Sequence, residues 1–210
     1  MNAHRSLRIL FLMFIPLVFL RAADVLSPTD VLTMKRVSSA VISPNGDWIA
    51  YTVSVPRAAT DKAGTAYSEL YVISPKTREV RAFITGKENV SSVAWKPDGS
   101  ALTFLAARGE GTTPQVWMIP IDGGEAMPLT RAETGISFYA WSPAGDKIAY
   151  LSTESKTGKE KKLDGAGYGF VYFEEDLKHR NLYIADAGKS GLIGAQQQMT
   201  RDITVWSFVF

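Results

Sequence analysis

The sequence predicts an all-β chain: a β-propeller of four-stranded antiparallel blades, incomplete, with about three blades present. Three observations predict this class. First, one hairpin motif occurs three times. It reads Val41-Ile42-Ser43-Pro44-Asn45-Gly46, then Lys96-Pro97-Asp98-Gly99, then Trp141-Ser142-Pro143-Ala144-Gly145, each between an apolar run and an alternating strand such as Ile49-Ala50-Tyr51 or Ile148-Ala149-Tyr150. Proline sets φ for a type I turn, and the glycine two residues later takes the left-handed position that closes the hairpin. Second, the turn prolines Pro44, Pro97 and Pro143 stand 53 residues (97 − 44) and 46 residues (143 − 97) apart, close to the period of a propeller blade. Third, a second hairpin follows each of the first. Leu70 to Ile73 pairs with Val80 to Thr85, Val116 to Ile119 with Ala126 to Thr130, and Leu182 to Ala185 with Gln197 to Thr200. Two hairpins per repeat make four strands, which is one blade.

The elements follow in order. Met1 to Arg8 is basic, Ile9 to Leu20 is apolar but too short to span ~30 Å of hydrocarbon, and Arg21-Ala22-Ala23 offers small residues for cleavage. Residues 1–23 therefore read as a signal peptide, which places the mature chain in the periplasm or outside the cell and leaves it no stable membrane span. Residues 24–36 read as a lead-in, with a turn and a short helix over Ser27 to Leu32. The partial propeller covers 37–210, with blades at about 37–85, 90–130 and 136–200 and the start of a fourth at 203–210. Pro56 to Ser68 is polar and small, so it reads as a loop inside the first blade. The third blade carries an insertion between its second and third strands: a solvated charge run from Ser152 to Lys162, then an aromatic and acidic segment from Leu163 to Arg180. Long loops of this kind in compact domains are functional or disordered. The chain stops inside Val205-Trp206-Ser207-Phe208-Val209-Phe210, in the middle of the recurring motif, and reads as a fragment of a longer protein.

Composition narrows the function. The net charge is +2, but without Arg5, Arg8 and Arg21 of the leader 20 basic residues face 21 acidic ones. No basic stripe argues for nucleic acid. The absence of cysteine excludes disulfides, thiolate catalysis and cysteine zinc sites. A serine hydrolase needs a nucleophile, a base and an orienting acid. The histidines are His4, in the leader, and His179, flanked by Lys178 and Arg180, and no Gly-x-Ser-x-Gly elbow occurs. No catalytic residue, metal site or cofactor is expected in this chain. The tryptophans Trp48, Trp95, Trp117, Trp141 and Trp206 are expected to pack between blades. One acidic cluster stands out. Glu174-Glu175-Asp176 follows Val171-Tyr172-Phe173. Adjacent carboxylates beside aromatics can hold a peptide ammonium group by charge-assisted hydrogen bonds, or can mark a solvated helix N-terminus.

The hairpins, each followed by a strand like Ile49-Ala50-Tyr51, resemble the repeats of TolB-type propellers and of the N-terminal propeller of the prolyl oligopeptidase family of serine peptidases. Ser27 to Leu32, followed by Lys35-Arg36-Val37, is similar to the opening of its acylaminoacyl-peptidase and dipeptidyl-peptidase branches, as is Tyr172 to Asp186. The resemblance implies a propeller that gates the access of peptides to a C-terminal α/β-hydrolase domain absent from this chain. In the dipeptidyl-peptidase branch a glutamate pair on the propeller binds the free N-terminus of the substrate, and Glu174 and Glu175 resemble that pair by type. The alternative implied by the same repeats is a TolB-like periplasmic propeller that binds a protein partner without catalysis.

Overall fold

The computed structural model describes residues 26–109, 112–168, 177–187 and 193–210. The leader, residues 1–23, and the acidic pair Glu174 and Glu175 lie outside the described residues. Two compact units are distinguished, 1–32 and 33–210. In the first, helix α1 (Pro28–Thr33) begins as its sequence dictates. The Ser27 hydroxyl accepts from the Asp30 amide at 3.2 Å, and the Asp30 carboxylate accepts from the Ser27 amide at 2.8 Å. This reciprocal pairing satisfies two of the donors that a helix start leaves open.

The second unit contains three four-stranded antiparallel sheets, each a meander in chain order. The first has β1 (Arg36–Ile42), β2 (Ile49–Val55), β3 (Tyr67–Ile73) and β4 (Val80–Ile84). The second has β5 (Ser91–Trp95), β6 (Ala101–Ala106), β7 (Gln115–Pro120) and β8 (Met127–Pro128). The third has β9 (Ile136–Trp141), β10 (Lys147–Thr153), β11 (Arg180–Ala187) and β12 (Ile193–Gln198). The fold is an incomplete β-propeller.

Each repeated turn closes by the geometry that its residues impose. Gly46, Gly99 and Gly145 have φ of 75°, 74° and 71°, a region that costs an L-residue energy and glycine almost none. Their amides donate to Ser43 O, Lys96 O and Ser142 O at 2.8–2.9 Å. The turns also touch one another. A Cβ on Gly99 would meet Pro44 Cδ at 3.8 Å, and one on Gly145 would meet Pro97 Cδ at 3.4 Å. Successive turns therefore lie side by side at one end of the sheets.

The core lies between the sheets, as a propeller requires. Leu102 and Phe104 of β6 pack with Ala50, Leu70 and Val72 of the first sheet. Leu105 of β6 packs with Ile136, Tyr139, Ile148 and Tyr150 of the third. All six residues of β6 are buried, which explains why Ala-Leu-Thr-Phe-Leu-Ala is apolar almost throughout: a strand covered on both faces loses the alternation of a half-exposed one. Thr103 is the polar residue in it. Its Oγ1 accepts from the Trp141 indole at 3.0 Å, lies 3.0 Å from the Tyr139 hydroxyl, and is 3.2 Å from Ala94 O, to which it donates. The Tyr139 hydroxyl also reaches Ser92 O, at 2.8 Å, and burial raises its pKa.

One expectation needs correction, and two segments gain detail. Within the charge run after Ser152, Gly158–Gly165 forms helix α2, started by a capping box in which the Thr157 hydroxyl accepts from the Glu160 amide and the Glu160 carboxylate from the Thr157 amide. Trp206 does not pack between blades. It is 80% exposed, with the Arg180 guanidinium 5.1 Å from its ring. Residues 203–210, expected to begin a fourth blade, join no ladder among the described residues. They run beside the third sheet, with the Val205 amide donating to Arg180 O at 2.8 Å and the Phe208 ring meeting Phe138 edge-on at 5.2 Å. No described helix is long and apolar enough to cross a membrane.

Candidate functional site

In each sheet the second and third strands are joined at the end opposite the repeated turns, and the connections from one sheet to the next return to that same end. The junctions are paired by hydrogen bonds. Ser68, at the start of β3, donates to Glu88 O at 2.9 Å and accepts from the Val90 amide at 3.1 Å. Ile136 donates to Pro114 O at 2.8 Å. The Thr134 hydroxyl lies 2.9 Å from that of Ser152. This end gathers the long loops: 56–66, 107–114 and the connection that begins at 154 and carries α2.

The first loop is built around Arg57, which sequence reasoning passes over within a stretch that reads only as polar and small. Its Nε donates to Thr65 O at 2.5 Å, and its Nη1 donates to Lys62 O at 3.1 Å and to the Tyr67 hydroxyl at 2.9 Å. The guanidinium carbon stands 4.1 Å from the centre of the Tyr67 ring. Gly64 allows the backbone to lie this close: a Cβ there would be 3.0 Å from Nη2 and 3.1 Å from Cζ. The one sequence signal is a lone arginine followed by a glycine inside a turn-rich run. Asp61 completes the loop. Its carboxylate accepts from Lys87 at 2.5 Å and from the Ala58 amide at 3.0 Å, and these bonds, that from Lys87 first, hold its pKa below the usual carboxylate range. A cavity of ≈ 410 Å³ opens here, lined by Arg57, Asp61, Lys62, Tyr67 and Lys87 among others.

In the third sheet, α2 is held by its ends and by ion pairs. Lys178 donates to Glu160 at 2.7 Å, Lys161 pairs with Glu133 and Lys156 with Asp164. The bond from Lys178, then those from Thr157, hold the Glu160 carboxyl down at about 2. Pairs as exposed as Lys161–Glu133 are screened by solvent and add little stability, so they orient the segment more than they stabilise it.

His179 stands at this end, half-buried. Its Nδ1 lies 3.2 Å from the Thr204 hydroxyl. The nearby carboxylate, Glu154, accepts instead from the His179 backbone amide at 3.3 Å and from Asn181 Nδ2 at 2.9 Å. No described acid bonds the imidazole in the way the relay of a triad requires. No cluster of three potential metal-ligating side chains occurs among the described residues. What this end offers is a rim of charged side chains, several of them held in ion pairs. Of the residues expected to bind substrate, Glu174 and Glu175, both lie outside the described residues. The described part of their connection, α2 and 177–179, leaves and rejoins the sheet at this end.

The chain is 30% identical over 181 residues to dipeptidyl-peptidase 5 of Porphyromonas endodontalis, a match that takes in 84% of this chain and 25% of that protein. It thus spans about a quarter of the length of that curated relative. Among solved structures, the acylaminoacyl peptidase of Pyrococcus horikoshii superposes with a TM-score of 0.59 at 12% identity, covering 81% of this chain and 26% of that one. The β-propeller domain of the Trilobed protease from Pyrococcus furiosus superposes with a TM-score of 0.53 at 14% identity, covering 80% of this chain and 44% of that one. No protein-family model matches the chain. The sequence match is to a peptidase and the structural matches are to peptidases with the same fold, so the chain is a β-propeller similar to those of the prolyl oligopeptidase family of serine peptidases.

Proposed function

We propose that this chain is the N-terminal propeller of a secreted or periplasmic serine exopeptidase of the dipeptidyl or acylaminoacyl kind, and that it gates the entry of short peptides to an α/β-hydrolase domain carried further along the same polypeptide. The observation that carries the reading is the match to dipeptidyl-peptidase 5, which runs through 84% of the chain. The gathering of charged loops at one end of the sheets supports it, because a gate must recognise what it admits. In this reading Glu174 and Glu175 anchor the free ammonium of the peptide, a charge-assisted contact that discriminates free from blocked N-termini.

The test uses the full-length gene product. It is expected to label with a serine-directed fluorophosphonate and to release dipeptides from unblocked substrates. Replacing both carboxylates (E174Q with E175Q) is expected to raise KM for free-amine peptides by the loss of a charged contact, ~1.5–3 kcal/mol, with a much smaller change for N-blocked peptides. Equal losses for the two substrate types would remove the anchoring role, and failure to label would remove the peptidase reading.

A further inference from the structure

The cavity beside the first loop has no part in the reading above. Its chemistry is cationic: Arg57, Lys62 and Lys87 line it against one carboxylate, Asp61. That carboxylate is already engaged, since Lys87 donates to it at 2.5 Å and its side chain is only 6% exposed. Arg57 differs from the arginines placed at ion-pair distance from acids, such as Arg81 with Glu79 and Arg108 with Glu88. It donates to neutral oxygens: two backbone carbonyls and a phenol. Those bonds use the Nε proton and the two protons of Nη1. The Nη2 amino group has no acceptor among the described residues. The guanidinium is therefore a charge held in place on three sides and stacked on Tyr67, with no carboxylate among the described residues bonded to it.

A long flexible side chain is normally costly to order. Here the loop has already ordered it, with the Gly64 backbone packed beside the guanidinium. The amino group left over keeps the positive charge in place and can donate a single charge-assisted hydrogen bond to a carboxylate oxygen. We infer that this cavity binds a carboxylate group of a peptide, either the C-terminal carboxylate or an acidic side chain, with Arg57 as the main donor. The inference goes beyond the peptidase reading. Its test reads binding, not turnover, so that either one fails without the other.

The experiment is calorimetric titration of the full-length protein, pretreated with fluorophosphonate so that no peptide is consumed. Four probes are used: tetra-alanine with a free carboxylate, the same peptide as its C-terminal amide, an N-acetylated and C-amidated tetrapeptide with one aspartate, and inorganic phosphate. Binding of tetra-alanine or of the aspartyl peptide, with loss on amidation or on change to asparagine, is the expected result, and which of the two binds identifies the source of the carboxylate. Arg57→Gln is expected to weaken that binding by roughly 10–100-fold, and Arg57→Lys to restore only part of it. Should Arg57→Gln fold poorly, the unmodified protein answers alone: bound peptide should protect Arg57 from phenylglyoxal, read by mass spectrometry. Equal affinity for the amide, binding of phosphate only, an unchanged affinity in a folded Arg57→Gln protein, or absence of protection would each overturn the inference.

Discussion

Thr103 offers a sharp test of how the sheets are joined. Its hydroxyl sits in a strand covered on both faces and is 0% exposed. It accepts from the Trp141 indole at 3.0 Å, stands 3.0 Å from the Tyr139 hydroxyl, and donates to Ala94 O at 3.2 Å within its own sheet. Thr103→Val keeps the shape and removes the oxygen. Tyr139 keeps a partner, because its hydroxyl already reaches Ser92 O at 2.8 Å. Trp141 Nε1 loses the acceptor to which it donates. One neutral hydrogen bond contributes ~0.5–1.5 kcal/mol, and a buried donor left unpaired costs ~1–3 kcal/mol. Trp141 is half-buried, so solvent relieves part of the second cost, and the expected loss is about 1–3 kcal/mol. With a urea m-value of ~2 kcal/mol/M, the midpoint falls by ~0.5–1.5 M. Unfolding of the chain followed by tryptophan fluorescence, at submicromolar concentration, measures it. Thr103→Ser, which keeps the hydroxyl, should lie much nearer the parent, and the double mutant with Tyr139→Phe should show coupling. A valine variant within about 0.5 kcal/mol of the parent would refute the idea that this hydroxyl fastens the third sheet to the second.

Other outcomes are expected. The Glu160 carboxyl is held at about 2 by Lys178 and Thr157, below its unfolded value of ~4.3. Its contribution is complete above the unfolded value and is lost as pH falls from there through about 2. The protection of the α2 amides, exchange taken relative to the intrinsic rate at each pH, should hold at pH 5 and fall over that window, and Glu160→Gln should lower it at neutral pH; protection independent of pH would contradict this. Exported protein should begin near Ala23 or Asp24, and N-terminal sequencing that finds Met1 would exclude a cleaved leader. The 210-residue chain expressed alone should be inert toward peptide and ester substrates and should self-associate, since the edge strand β1 carries Ile42, 68% exposed, such edges promote association, and Trp206 and Val209 add apolar surface at 80% and 94% exposed; hydrolysis of an aminoacyl-nitroanilide by a monomeric preparation would show that a hydrolytic centre exists in this chain after all.

What is legible in the sequence is whatever depends on neighbours in the chain. Pro44 and Gly46 shape their hairpin through φ alone, so the three repeats can be placed without knowing what they pack on. The double burial of β6 is likewise visible in its apolar run. The contacts of Thr103 are not, because they depend on the angle and register between two sheets. Helix α2 carries an explicit start signal in Thr157 and Glu160, but none of its residues is buried, so it has no apolar face and hydrophobic periodicity passes over it. Analogy with Trp95 and Trp141 misplaces Trp206. Those two have a facing sheet, and no described sheet lies against Trp206. At the loop end, Arg57 escapes notice because its role is set by carbonyls of its own loop, which a sequence does not display.

The connection from β4 to β5 has a consequence for how this chain tolerates change in length. Within a few residues it reaches in both directions. Gly86 donates to Glu69 at 2.9 Å and Lys87 to Asp61 at 2.5 Å, back toward the first sheet, while Glu88 faces Arg108 of the second at 3.7 Å. The main chain on either side of Asn89 is meanwhile bonded to Ser68. Adding or deleting one residue here would put every one of these partners out of phase at once, in two sheets. The tips at Asp122-Gly123-Gly124 have no such double attachment: a Cβ on either glycine would meet nothing within 4 Å. Insertions and deletions among natural variants of this chain should therefore gather at such outer tips, in the 56–66 loop and in the connection between β10 and β11, and the short connectors should keep their length even where their residues differ.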